Sequence, residues 1–211
     1  MADDSCQRFN RTRGRLVPSP RPGRGKVLQV DISRLDRGIA LPWDINVFIE
    51  IPQGATEPVK YELDKASGAL MVDRFLHTAM YYPANYGFVP HTLSEDGDPI
   101  DVLVICRAAV VPGAVIRSRP IGVLMLEDEH GSDEKIIAVP VDALHPYYSD
   151  VREPDDLPPI LREQIAHFFQ HYKDLEQGKW VTGGRWDGAD AAARLIEDAV
   201  RRHDARHAVH A

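Results

Sequence analysis

From residue 28 through the first two thirds of the chain, the pattern of apolar and polar positions is β-rich. Ile45-Asn46-Val47-Phe48-Ile49-Glu50-Ile51 combines β-branched and aromatic residues and stops at Pro52, which predicts a strand. Over residues 59–64, Lys60, Glu62 and Asp64 fall on one face and Val59, Tyr61 and Leu63 on the other. Further strands are predicted over 70–76, after a Ser-Gly turn at 67–68, and over 101–106, 115–119, 121–126 and 135–141. Many short strands separated by Gly and Pro predict a barrel or a curled sheet. The period then changes. Ile160, Leu161, Ile165, Phe168, Phe169, Tyr172 and Leu175 are spaced for a helix over 160–176, opened by Pro158-Pro159 and closed by Gly178. A second amphipathic helix is predicted over 188–203, with Ala191, Leu195, Ile196 and Val200 on its inner face.

Residues 1–27 follow neither period. Pro18, Pro20, Pro22, Gly14, Gly23 and Gly25 lie among arginines, a composition that cannot bury enough surface to offset its ordering entropy. This segment is expected to be a basic, disordered N-terminal arm. Residues 28–203 show no internal repeat and no linker, so they are expected to form one domain, with 204–211 a flexible tail. His203, His207 and His210 near the end of the chain are read as solvated rather than as metal ligands.

The chain has 211 residues, 44% of them hydrophobic and 27% charged, which is enough for a real core. Its net charge of −7 is unevenly spread: residues 1–26 carry seven Arg and Lys against Asp3 and Asp4, a net of +5, which leaves −12 for the remainder. An acidic body argues against nucleic acid as a partner. Cys6 and Cys106 do not make a disulfide framework. No apolar run approaches the ~18 residues of a membrane span, and the N-terminus lacks the apolar segment of a signal peptide. The expected setting is a reducing cytoplasm, with no membrane partner.

Candidate chemistry begins at Glu95-Asp96-Gly97-Asp98-Pro99-Ile100-Asp101, four carboxylates within seven residues directly before a strand. Their mutual repulsion is costly unless cations neutralise it, and oxygen ligands of this kind suit Mg²⁺, Mn²⁺ or Ca²⁺. Gly97 and Pro99 fix the turn. An EF-hand is excluded, because counting from Asp96 puts Asp101 at the glycine position and Arg107 at the glutamate position. A second acidic group, Glu127-Asp128-Glu129-His130-Gly131-Ser132-Asp133-Glu134, lies between two predicted strands. On its own it reads as a solvated hairpin tip; with the first it can complete a multinuclear cation site for attack at phosphorus. Lys60 and Arg74 stand on predicted strands, and Tyr172-Lys173 on the long predicted helix, as cations and hydroxyls that bind phosphate. Tyr81, Tyr82 and Tyr86 surround a Pro-Asn turn and serve either packing or phosphate binding.

At these residues the chain closely resembles family I soluble inorganic pyrophosphatases. Asp96-Gly97-Asp98-Pro99-Ile100-Asp101-Val102 matches that family's signature in full. Around it stand Val47–Pro52, Lys60–Asp64, Val72-Asp73-Arg74, Tyr82–Gly87, Asp128 with Asp133 and Lys135, and His171–Glu176, in the family's order over about residues 28–200. The resemblance implies an α+β fold: a five-stranded OB-like β-barrel flanked by two main α-helices. It implies hydrolysis of diphosphate to two phosphates with several Mg²⁺ ions, for which Mn²⁺ or Zn²⁺ can substitute, and a homohexamer as in bacterial members.

The resemblance also implies roles, residue by residue. Asp96, Asp101, Asp128 and Asp133 would hold the metal ions, with Glu50 nearby. Asp98 would be the general base. Lys60, Arg74, Tyr86, Lys135, Tyr172 and Lys173 would bind the phosphates, with Tyr82 and Glu62 in support. The basic arm departs from the family pattern. Two rivals remain at this stage: another metal-dependent phosphohydrolase, which would need a base or sugar pocket, and a non-catalytic cation- or phosphate-binding module.

Overall fold

Five strands pair in a closed ring, and two helices cover them. The computed structural model describes residues 31–208 apart from Thr56, so the expected arm at 1–27 and residues 209–211 lie outside the described residues. In chain order the elements are β1 (Gly38–Ala40), β2 (Asp44–Ile51), β3 (Val59–Asp64), β4 (Ala69–Phe75), β5 (Asn85–Phe88), β6 (Asp101–Val104), β7 (Val115–Asp128), β8 (Gly131–Ser132), β9 (Lys135–Pro140), α1 (Pro159–His171), β10 (Val181–Gly188) and α2 (Ala189–Ala208). The ring runs β2-β5-β6-β9-β7 and returns to β2. Its β6–β9 pair is parallel and the others are antiparallel. This is the expected five-stranded barrel; β2 and β7 also present edges outside the ring, which β1 and β10 pair with.

Alternation along these strands sorts the core into two clusters. Ile45, Val47, Ile49, Val102, Val104, Val123, Ile136 and Ala138 pack with Ala192, Ile196 and Ala199 of α2. Leu103, Ile105, Leu124, Leu126, Ile137 and Val139 pack with Ile165, Phe168 and Phe169 of α1, and with Tyr82 and Tyr86. Strands buried on both faces read as near-continuous apolar runs, as β9 does with all six residues buried.

The β3–β4 hairpin pairs only with itself. It docks through Leu63, which joins Phe48 and Phe88 in a third small cluster, and through the Leu63 N–H, which donates to Glu50 Oε1 at 2.7 Å. Gly87 marks where β5 and β2 come closest, because a Cβ there would lie 1.8 Å from the Phe48 carbonyl oxygen.

Several boundaries differ from the sequence pattern. The strands expected at 115–119 and 121–126 are one strand, β7, which carries Pro120 through its middle. A register shift between Pro120 and Gly122 in the pairing with β9 accommodates the missing donor. The helix expected over 160–176 ends at His171. The chain then turns, with Asp174 N–H donating to His171 O and Glu176 N–H to Lys173 O, so Tyr172 and Lys173 leave the helix rather than stand on it. Apolar spacing alone continues to Leu175, which is exposed. In the other direction, α2 runs past 203 to Ala208, so residues 204–208 of the expected tail are helical. An Arg37–Asp204 ion pair and a contact from Arg37 Nη2 to His203 Nδ1 at 3.1 Å secure that end. The buried face of α2 is made by Ala192, Ala193, Ile196 and Ala199 and not by Val200, since small residues permit the closest approach to the sheet.

Candidate active site

A polar cleft of about 310 Å³ opens where the β3–β4 hairpin, the 94–101 turn, the ends of β6, β7 and β9, and the turn after α1 meet. Every residue to which the family resemblance gives a role lines it except Tyr82, whereas Tyr81, Glu95, Glu127 and Glu134 do not. Those in the lining are Glu50, Lys60, Glu62, Arg74, Tyr86, Asp96, Asp98, Asp101, Asp128, Asp133, Lys135, Tyr172 and Lys173. Tyr82 sits one layer behind, its ring 5.2 Å from that of Tyr86 and 4.8 Å from that of Phe168.

The 94–101 turn is built by its own side chains. Asp96 Oδ1 accepts from the Asp98 N–H at 2.9 Å, Ser94 N–H donates to Asp98 O at 2.7 Å, and Gly97 takes a φ of 95° that favours glycine. The Asp98 carboxylate is thereby lifted to the cleft mouth, where it is 76% exposed and accepts from Lys65 Nζ at 3.1 Å. Burial raises the Asp96 carboxyl above its ordinary range, and Asp101 and Asp98 add to that.

Deeper in, Lys135 is the central cation. Its Nζ lies 2.5 Å from Asp101 Oδ2 and 2.5 Å from Asp133 Oδ1, with the side chain 4% exposed. Burial works against its charge, yet Asp101 and Asp133 outweigh burial and hold its pKa well above the ordinary lysine value. Its Nζ also stands 5.7 Å over the ring of Tyr86. Burial is the main cause that pushes the Tyr86 and Tyr172 phenols up, so both are held as neutral hydroxyls. At the end of β7, Asp128 accepts from Lys173 Nζ at 2.7 Å and from the His130 N–H at 2.8 Å. Burial opposes ionisation of Asp128, but Lys173 prevails and holds the carboxyl below its usual range.

Glu50 is the most perturbed carboxylate. It is 6% exposed, and among the described residues its one hydrogen-bond donor is the Leu63 N–H. Burial first, then Asp101 and Glu62, push it up to about 8 against the single lowering hydrogen bond. On the hairpin, Lys60 and Arg74 are cross-strand partners. Lys60 pairs with Glu62 and lies 3.4 Å from Asp73.

The cleft lining carries eight carboxylates against six cationic side chains. All the anionic donors are oxygens, a set suited to hard divalent cations. Among the described residues no three acidic or histidine side chains close on a single point. Asp101 and Asp133 do converge on one cation, which here is the Lys135 ammonium. The donor chemistry and the surplus negative charge therefore fit divalent cations.

Sequence reasoning missed Lys65 and Lys179, and gave no individual role to Glu129 and His130, all of which also line the cleft. Glu129 and His130 belonged to the second acidic group. Lys179 follows Gly178, beyond the predicted helix, and carried no separate signal.

A family model described as "Inorganic pyrophosphatase" matches residues 47–204. The chain is similar to an inorganic pyrophosphatase of Caulobacter vibrioides, 62% identical over 175 residues that make up 83% of this chain and 98% of the relative. It is also similar to one of Bradyrhizobium diazoefficiens, 56% identical over 171 residues, 81% of this chain and 96% of the relative. Among solved structures, an inorganic pyrophosphatase of Thermus thermophilus superposes with a TM-score of 0.78 at 37% identity, covering 83% of this chain and 99% of that one. An inorganic phosphatase of Anaplasma phagocytophilum does so with a TM-score of 0.77 at 50% identity, covering 80% and 99%.

Proposed function

Because this chain belongs to the inorganic pyrophosphatase family, we propose that its cleft hydrolyses diphosphate, adding one water across the P–O–P bridge to give two phosphates, with Mg²⁺ as cofactor. The observation that carries the reading is the arrangement of charge: a carboxylate set and a cation set face each other across one cleft. Diphosphate needs both, the cations to bind it and the carboxylates to hold the divalent ions that screen it.

Asp96, Asp101, Asp128 and Asp133 would hold the divalent ions, with Glu50 near them. Divalent ions held there would supply charge that screens the substrate and lowers the pKa of water. Asp98, at the open mouth of the cleft, takes the proton from that water as general base. Lys60, Arg74, Lys135 and Lys173 bind phosphoryl oxygens as charged donors, and the neutral hydroxyls of Tyr86 and Tyr172 donate to the same oxygens. These fixed donors stabilise the charge that develops on the leaving phosphate. Glu62 supports Lys60 through their ion pair, and Tyr82 supports the ring of Tyr86 from behind.

We further propose a cytoplasmic setting, in keeping with the free thiol of Cys106, and a homohexamer, by resemblance to bacterial members. Among the described residues no helix is long and apolar enough to cross a membrane.

The test is phosphate release from pyrophosphate, ATP and p-nitrophenyl phosphate, with Mg²⁺ and with EDTA. The expected result is fast release from pyrophosphate alone, abolished by EDTA. Comparable rates on ATP or the monoester would favour a broader phosphohydrolase, and no release would favour a binding module.

A further inference from the structure

Arg74 reaches the cleft from a hairpin that belongs to no larger sheet, so something must fix its guanidinium. Its Nε lies 3.1 Å from Glu176 on both carboxylate oxygens, and its Nη1 donates to Asp73 Oδ2 at 2.7 Å. Of its five N–H donors, that leaves both on Nη2 and one on Nη1 directed elsewhere. The same Glu176 carboxylate receives Lys179 Nζ at 3.2 Å. Arg74 and Lys179 both line the cleft, whereas Glu176 does not. The Glu176 side chain is 7% exposed, and its charge is matched by these two cations.

Glu176 is itself well anchored. Its N–H donates to Lys173 O at 2.8 Å, and Lys173 is held by Asp128. The turn after α1 is thereby tied to the end of β7 on one side and to the hairpin on the other. A second tie runs beside it, with His77 Nδ1 donating to Leu175 O at 3.2 Å.

We propose that Glu176 is a positioning residue that orients Arg74 and Lys179 toward the diphosphate without touching it. The inference rests on the reading of the cleft as a diphosphate site. It also makes a prediction whose sign separates it from simple electrostatics. Neutralising a carboxylate beside a site for a polyanion should tighten substrate binding if charge alone matters. If orientation matters, the same change loosens binding, because the guanidinium loses the partner that fixes its plane.

The experiment compares wild-type protein with Glu176→Gln and Glu176→Asp, with kcat and KM for magnesium pyrophosphate measured on each. The expected result is a rise in KM of about tenfold in both variants, with kcat changed less and the melting temperature within a few degrees of wild type. The same Glu176→Gln change made in an Arg74→Ala, Lys179→Ala background should have no further effect on KM. A fall in KM in Glu176→Gln, or an equal rise in both backgrounds, would overturn the proposal, the second by showing a structural effect unrelated to the two cations. An unchanged KM in both variants would overturn it as well. If Arg74→Ala alone leaves KM unchanged, the reading of the cleft fails instead, which keeps the two failures distinct.

Discussion

Asp101 and Lys135 are the first residues of β6 and β9, and the barrel's parallel pairing sets them side by side, with Lys135 Nζ 2.5 Å from Asp101 Oδ2. Strands that start together in the same direction bring two residues far apart in sequence to one rim. The carboxylate cluster before β6 and the acidic hairpin before β9 thereby become a single site.

Removing Lys135 tests what that rim needs. Lys135→Met leaves the part-buried Asp101 and Asp133 without the cation between them, and such uncompensated groups cost about 1–3 kcal/mol. Metal-free Lys135→Met is expected to melt well below wild type, with Mg²⁺ narrowing the gap. Differential scanning fluorimetry with EDTA and with Mg²⁺ checks this, and a gap that Mg²⁺ leaves unchanged would count against cation binding by these carboxylates.

Asp98→Asn should keep the fold, since its carboxylate is largely exposed and its structural contact in the turn is made by backbone. Turnover should fall by about 10²–10⁴ if Asp98 is the base. Steady-state kinetics beside circular dichroism decides the matter. Activity close to wild type would remove Asp98 from that role.

Glu50 gives the metal-free protein a pH-dependent stability. Its folded-state pKa is raised from 4.5 to about 8, so the folded state holds the proton more tightly than the unfolded chain. Stability is therefore fully present below the unfolded value, falls as pH rises between the two, and levels off above the folded one. Glu50→Gln removes this dependence. In EDTA the variant should match wild type near about pH 5 and exceed it by a few kcal/mol near about pH 8.5. Urea titrations at the two pH values measure the difference, and a difference independent of pH would contradict the shift.

Gly87→Ala should be severe although it adds one methyl. A Cβ would meet the Phe48 carbonyl at 1.8 Å, and that neighbour is backbone within the barrel. Overpacking of this kind costs about 3 kcal/mol or more, a fall of roughly 6 °C or more in melting temperature for a domain of this size. Thermal melts of the purified variant provide the check.

The strands at 45–51, 59–64 and 135–141 were legible because β-branched apolar runs beside Pro, and the alternation at 59–64, have few other readings. The site was legible for a different reason: its carboxylates and cations stand in short motifs whose order resembles that of a family. Where tertiary contacts decide, the sequence was less informative. Nothing in Val181-Thr182-Gly183-Gly184-Arg185-Trp186 alternates, yet it pairs with β7 as β10, because β7 offers an edge there. Asn85–Phe88 read as part of a turn, yet it is β5, in which glycine permits the close approach. Glu176 stood within a family-like segment but drew no role of its own, since its partner Arg74 lies 102 residues away in sequence.

The alanine face of α2 has a consequence for how the molecule is made. Ala192, Ile196 and Ala199 complete a cluster that begins at Ile45, so that apolar face of the ring stays uncovered until residue 199 has been made. Contacts of such long sequence separation close slowly, and the nascent barrel must be shielded from other unfinished chains meanwhile. Closure of that core therefore waits for a helix that contributes no residue to the cleft.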